Sequence, residues 1–404
     1  MKNNMNTKKK GKRNMYRIGQ EEKDAVARVI DSRELFKVNN GNLQETKNFE
    51  IELGKKFNTQ YPLLMTSGHA ALASALIGMG IGPGDEVIVP AYTYIATAMA
   101  VVASGAVPVI AEIDESLMID PDDIEKKITK RTKAIIPVHM QGYPCDMDRI
   151  LSVAKRYNIM VLEDACQAVG GSYKGKRLGT IGNAGALSFN YYKVISAGEG
   201  GALLTNEKNL FEKALIYHDS SAVAYFGNQM EAFSTEPFCG EEYRTNEITA
   251  AIMREQLKKL DGILSDLRNN KKLLMEELSS CFKFIPSNDP DGDCSTTLTL
   301  KFRSEKEARK VKENSKIAIT IPIDTGKHVY TEWTPILEKR GSLHPLMNPF
   351  NMEVNKHITY SKDMCLKSLE LLKTSGHVSI NPDWSEQTIK EVAKSLIEAS
   401  QISD

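Results

Sequence analysis

Apolar positions recur along this chain in two rhythms. Over residues 18–30 they return every three or four places, the spacing of one helical face, with Gly19 and Gln20 near the start. Polar residues over 38–44 predict a loop, and helical spacing resumes over 45–57. Beyond this, short apolar runs take over: EVIVP at 86–90, the stretch 107–113, AIIPV at 134–138 and IMVLE at 159–163. Helical stretches over 70–79, 121–128 and 147–157 separate them. Apolar runs alternating with helices predict an α/β fold, a mostly parallel sheet covered on both faces. From Asn246 a long amphipathic helix is predicted, with Ile248, Ile252, Leu260, Leu264 and Leu267 at helical spacing and Asp261-Gly262 as a possible bend. The remainder mixes a strand at 296–302, helices and a polar loop, as a smaller α/β domain does. The expected division is a basic tail (1–14), a large domain (15–260) and a small C-terminal domain (261–404).

Composition narrows the function. Fifty-two basic side chains balance 52 acidic ones, so no global field favours nucleic acid or an anionic membrane. The first 13 residues carry six positive charges and no acid, and without a following apolar stretch they read as a solvated tail, not a secretory signal. The longest uncharged run, 91–111, is divided by Gly105 and Pro108 into a helix, a turn and a buried strand, and is rejected as a membrane span. Six scattered cysteines with no CxxC pair suggest reduced thiols in a cytoplasmic protein.

Several motifs are decoys. Gly170 to Lys176 fits G-x-x-x-x-G-K, but Arg177 stands where a phosphate loop needs Ser or Thr. Asp289, Asp291 and Asp293 imitate a calcium loop, yet Cys294 occupies the glycine position and Leu300 that of the bidentate glutamate. The glycines at 78, 80, 82 and 84 miss the dinucleotide spacing, and no histidine has a zinc-like partner, so no metal is expected.

Three other segments carry chemistry. Thr66-Ser67-Gly68-His69 precedes a helix, where small residues leave backbone N–H groups able to hold a phosphate, or simply form a good cap. In VLEDACQAVGG (161–171) an apolar strand ends in Glu163-Asp164, putting carboxylates at the edge of the sheet where ligands bind; a surface acid or a cap is the plainer alternative. In LSFNYYKVISAGEGG (187–201) one lysine, Lys193, stands among aromatic and apolar residues before a glycine loop. Burial there lowers a lysine pKa and makes a nucleophile, where a surface lysine would do neither. Phosphate cradle, acid and lysine together are what pyridoxal 5'-phosphate (PLP) needs: the acid keeps the pyridine nitrogen protonated and the lysine forms the Schiff base.

From about Arg17 onwards the chain resembles the DegT/DnrJ/StrS family of sugar aminotransferases, within the aspartate-aminotransferase fold (fold type I). The likeness rests on TSGHAAL, GDEVIVPAYTYIAT, GAVPVIAEID, TKAIIPVHMQGYPCDMD, EDACQAVGGSYKG, SFNYYKVISAGEGG and YRTNEITAAIMREQLKKLD. It implies Lys193 as Schiff-base lysine and proton shuttle, Asp164 on the pyridine nitrogen and Gln167 beside the ring. It also implies Ser188, Gly68 and His69 around the phosphate, and Tyr94 stacked on the ring, a position that suits a core tyrosine too. Arg244 is implied to reach in from a neighbouring subunit, making a homodimer with shared sites. Two positions depart from the family. His69 replaces a threonine, and Glu242 replaces an asparagine that contacts the partner's phosphate. An acid there must be protonated, turned away or paired with a cation, so Glu242 is left out of the binding set.

The resemblance implies transfer of an amino group from glutamate or glutamine to a keto-sugar or keto-cyclitol in amino-sugar biosynthesis. EDACQAVGGSYKG and DPDGD resemble the branch that aminates the eighth carbon of a 3-deoxy-octulosonate sugar; nucleotide-linked 4-keto hexoses and inosose stay open. The segment 328–333 (HVYTEW) falls near where the family binds sugar, and serves equally as packing. Two rival readings are a PLP-dependent sugar dehydratase, in which histidine replaces the lysine, and an inactive paralogue acting as a binding or regulatory subunit.

Overall fold

A computed structural model describes residues 15–38, 41–225 and 234–402; the expected tail, 1–14, lies outside them. Helices α1 (Gln20–Ser32) and α2 (Glu45–Phe57) come first. Strands and helices then alternate: β1 (Tyr61–Met65), α3 (Gly68–Gly78), β2 (Glu86–Pro90), α4 (Ala96–Ala103), β3 (Val107–Ala111), α5 (Pro121–Lys127), β4 (Thr132–Ile135), α6 (Met147–Tyr157) and β5 (Met160–Asp164). A hairpin, β6 (Ser172–Tyr173) and β7 (Lys176–Arg177), leads to β8 (Ala184–Ser188), β9 (Gly201–Thr205) and α7 (Lys208–His218). After α8 (Glu247–Leu278) come β10 (Lys283–Phe284), β11 (Thr297–Lys301), α9 (Glu305–Asn314), α10 (Thr334–Leu337), α11 (Leu366–Lys373), β12 (Ser375–Ser379) and α12 (Glu386–Gln401).

Seven strands form one sheet in the order β1-β9-β8-β5-β4-β2-β3. Only β9 runs against its neighbours, so the carboxyl ends of β1, β2, β4, β5 and β8 meet the start of β9 at one edge. Val87, Ile88 and Val89 are fully buried, as strands covered on both faces require. Helix α3 is buried almost all round and rich in alanine and glycine, which lets it lie close to the sheet. The run expected as a strand over 134–138 pairs two residues earlier, because Pro137 has no N–H to give the ladder. Pro108 is tolerated in β3 because that strand is the sheet's edge.

A separate antiparallel sheet, β10-β11-β12, lies in the C-terminal part. Helix α8 passes through Asp261 and Gly262 unbroken, so the boundary expected at 260/261 falls inside a helix about 48 Å long. Asn246 caps it, its side chain accepting from Thr249 N at 2.9 Å. The decoy G-x-x-x-x-G-K segment is the β6–β7 hairpin, with Lys174 and Gly175 both at positive φ as a two-residue turn demands.

Candidate active site

The carboxyl edge gathers most of the expected residues. Asp164 ends β5, its Oδ2 accepting from Thr97 Oγ1 at 2.8 Å and its Oδ1 from Cys166 N at 3.1 Å. Thr97 in turn bonds Thr93 Oγ1 at 2.8 Å. Because side chains alternate along a strand, the preceding Glu163 points the other way. There it accepts from Gly179 N (2.9 Å), Ile181 N (2.6 Å) and Gly182 N (2.7 Å), and meets His139 Nε2 at 3.0 Å. His139 Nδ1 accepts from Cys145 N, so Nε2 carries the proton and donates to Glu163. Glu163 is thus spent on pinning a turn, and Asp164 is the acid at the edge.

Helix α3 starts beside it. The Ser67 side chain accepts from Ala70 N at 3.1 Å, and the N–H groups of Gly68 and His69 belong to the first turn, where a helix supplies no acceptor. A Cβ on Gly68 would stand 2.5 Å from Cys166 Sγ and 3.0 Å from Ser188 Cβ, so the helix opens directly against the ends of β5 and β8. Gly201 at the start of β9 lies as close to the Ser67 and Gly68 backbone. The His69 ring turns towards α4, its Nδ1 3.2 Å from the Ala96 carbonyl. Ser188 Oγ accepts from Asn190 N at 3.4 Å.

Lys193 lies in the loop between β8 and β9, its backbone N donating to Asn190 O at 3.0 Å. Among the described residues its ammonium has no hydrogen-bond or ion-pair partner. Its charge is felt by two groups. The Cys166 thiol is pushed well above its usual range by burial and by Asp164, with Lys193 pulling the other way. His328 is held below its usual value by burial, with Lys327 and Lys193 adding to the effect. The expected burial by aromatic rings differs, however. Tyr191 and Tyr192 are exposed, and the buried neighbours are Phe189, Val194 and Ile195, so the loop packs through its ends and leaves Lys193 half-buried.

Tyr94, 39% exposed, follows β2; its ring lies 5.5 Å from that of His328, and Lys327 Nζ stands 4.9 Å from its centroid. Thr93 N and Ile95 N donate to the carbonyls of His328 and Lys327, tying this segment to the C-terminal part. Gln167 Oε1 accepts from Gln141 N at 3.2 Å. The Arg244 side chain stays apart from these groups. It donates to Asp219 O at 2.9 Å, lies 5.4 Å from the Phe36 ring and is ion-paired with Glu242. Glu242 is therefore an acid paired with a cation. Thr97, Gln141 and Cys166 were not singled out from sequence; only the Thr93/Thr97 pair had a signal there, two hydroxyls one helical turn apart. Among the described residues no cluster of His, Cys, Asp and Glu fits a metal, and no helix is long and apolar enough to cross a membrane.

The sequence model of the DegT/DnrJ/EryC1/StrS aminotransferase family matches residues 16–336. GDP-perosamine synthase of Escherichia coli O157:H7 is 31% identical over 328 residues, 80% of this chain and 86% of that protein. A putative L-glutamine:3-amino-2,3-dideoxy-scyllo-inosose aminotransferase of Micromonospora echinospora is 34% identical over 298 residues, 72% of this chain and 69% of that protein. The solved structure of an aminotransferase from Psychrobacter cryohalolentis superposes with a TM-score of 0.75 at 27% identity, covering 94% of this chain and 96% of the other.

Proposed function

The chain belongs to the DegT/DnrJ/EryC1/StrS aminotransferase family, and from that premise we propose that it carries an amino group from glutamate or glutamine to a keto-sugar or keto-cyclitol, using PLP. The observation that carries this reading is an unpartnered lysine amine at the same sheet edge as a buried, oriented carboxylate and an opening helix. The residues fit the cofactor: the absence of a side chain at Gly68 lets the opening of α3 lie directly against Ser188 and Cys166, and first-turn N–H groups suit a phosphate.

When bound, PLP supplies an electron sink for the carbon whose bond is broken. The protein's own groups do the rest. Gly68 and His69 would offer backbone N–H groups to the phosphate, and Ser188 its hydroxyl. Asp164, whose carboxylate accepts from Thr97 Oγ1 and Cys166 N, is oriented at the edge and would hold the proton on the pyridine nitrogen. Tyr94 would cover a ring face. Lys193 Nζ, which among the described residues has no competing partner, is the amine that would hold the cofactor and would carry a proton to and from the donor carbon.

A homodimer in the cytoplasm, with Arg244 serving a neighbouring site, belongs to the same reading, as does the division at 260/261. A lysine at position 193 favours transamination over sugar dehydration. The test gives PLP-loaded protein glutamate, then a panel of keto-sugars and cyclitols, and follows amine products by mass spectrometry. An amino product from one class is expected; a deoxygenated sugar without nitrogen would establish the dehydratase instead.

A further inference from the structure

Gln167 sits three residues beyond Asp164, and its amide is oriented from another part of the chain. Its Oε1 accepts from Gln141 N at 3.2 Å, and among the described residues no acceptor meets its Nε2. The end left free is thus a donor. Gln141 adopts a left-handed conformation (φ 54°, ψ 22°), which a residue other than glycine holds only when its surroundings impose it. Gly142 follows at φ 87°, and a Cβ there would come 2.9 Å from Cys294 Cβ and from Thr296 Oγ1.

What imposes that conformation is the segment entering β11. The Gln141 carbonyl accepts from Thr296 Oγ1 at 2.7 Å, the Gln141 side-chain Oε1 accepts from Thr297 Oγ1 at 3.1 Å, and the Gly142 carbonyl accepts from Cys294 N at 3.0 Å. Both threonines are buried, so water does not compete for these bonds. A second buried chain crosses the same seam: Tyr92 OH meets His377 Nε2 at 2.9 Å and His377 Nδ1 meets Thr299 Oγ1 at 2.9 Å. The approach to β11 and the carboxyl edge of the large sheet are one hydrogen-bonded unit.

We propose that Gln141 is a positioning residue, held by Thr296 and Thr297, which sets the Gln167 amide so that its N–H₂ faces the cofactor ring. This rests on the PLP reading above. A donor facing the cofactor would stabilise negative charge on it, so the position of β11 would be reported in the pH at which the bound cofactor's visible band titrates.

The experiment uses the PLP-loaded full chain and reads the pH at which the visible absorption band titrates, together with PLP affinity. Thr296→Val with Thr297→Val removes both hydroxyl anchors while keeping shape and leaving Gln141, Gln167 and Lys193 in place. The expected result is a shift of the titration midpoint by about half a pH unit and PLP binding weakened about threefold. Thr297→Ser, which keeps the hydroxyl, is expected to behave as the wild type. In a Gln167→Ala background the valine pair is expected to add nothing, which a general loss of stability would not reproduce. A normal band whose midpoint ignores the valine pair, or an equal shift with and without Gln167, overturns the inference and leaves the PLP reading standing. A wild type that forms no visible band overturns that reading, and this inference with it.

Discussion

Glu163 and Asp164 are adjacent carboxylates with opposite fates, because one strand step turns them to opposite faces. Glu163 meets four donors and Asp164 two, the latter at the edge where α3 begins. Asp164→Asn is expected to keep PLP but slow the half reaction with glutamate at least about a hundredfold in stopped-flow absorbance, since the neutral amide no longer holds the ring proton. Glu163→Gln is expected to lower stability by about 2–4 kcal/mol in denaturant melts with a smaller effect on that rate, because buried donors lose their charged acceptor. Borohydride reduction is expected to fix cofactor mass on the peptide containing Lys193, and label on Lys174 or Lys176 would move the anchor elsewhere. Burial, with His328 adding, pushes the His377 imidazole from its ordinary 6.5 down to about 3. Between those values the unfolded chain binds a proton that the folded ring refuses, so stability falls as pH drops through the window, by up to about 1.4 kcal/mol per pH unit. His377→Gln is expected to flatten the dependence of unfolding free energy on pH between 6 and 4; an unchanged slope would place the proton uptake at other groups.

At the scale of elements, the site depends on how closely small residues let backbones approach. Gly68→Ala would drive a methyl into Cys166 and Ser188, and is expected to cost about 1–3 kcal/mol and to weaken PLP binding more than it lowers the melting temperature. Equal PLP affinity would mean that the α3 opening is not the phosphate cradle. The same crowding explains what the sequence hid. Strands β2 and β5 were legible because their apolar residues are contiguous, VIV in EVIVP and IMVL in IMVLE. Strands β8 (AGALS) and β9 (GALLT) offered no such run. A Cβ on Gly185 would lie 2.2 Å from the Gly179 carbonyl and one on Gly201 2.2 Å from the Ser67 backbone, so these strands need glycine where propensity would ask for valine. Asp164 and Lys193 were legible as an acid ending a strand and a lone lysine before a glycine loop. Thr97 and Gln141 bond partners 67 and 26 residues away, a relation that neither period nor motif records.

For the whole molecule, one apolar core runs from Phe49 in α2 through the large sheet to Leu396 in α12, so the β10-β11-β12 sheet is welded to the rest. The expected sharing of sites between subunits is a property of a pair of such molecules. Mixing the inactive variants Lys193→Ala and Arg244→Ala under subunit exchange is expected to restore activity, approaching half the wild-type rate per exchanged dimer. No recovery despite demonstrated exchange would give Arg244 only the role it has within its own chain, beside Asp219, Glu242 and Phe36. As a transaminase this protein is expected to take up an amino group and hold it between two half reactions. PLP-loaded protein is given ¹⁵N-glutamate alone, separated from free amino acid, and analysed for bound ¹⁵N and released 2-oxoglutarate. Close to one ¹⁵N retained per subunit, matched by one 2-oxoglutarate released and loss of the visible band, is the expected result. No retained ¹⁵N with either glutamate or amino-labelled glutamine as donor, or its release as ammonia, would contradict it.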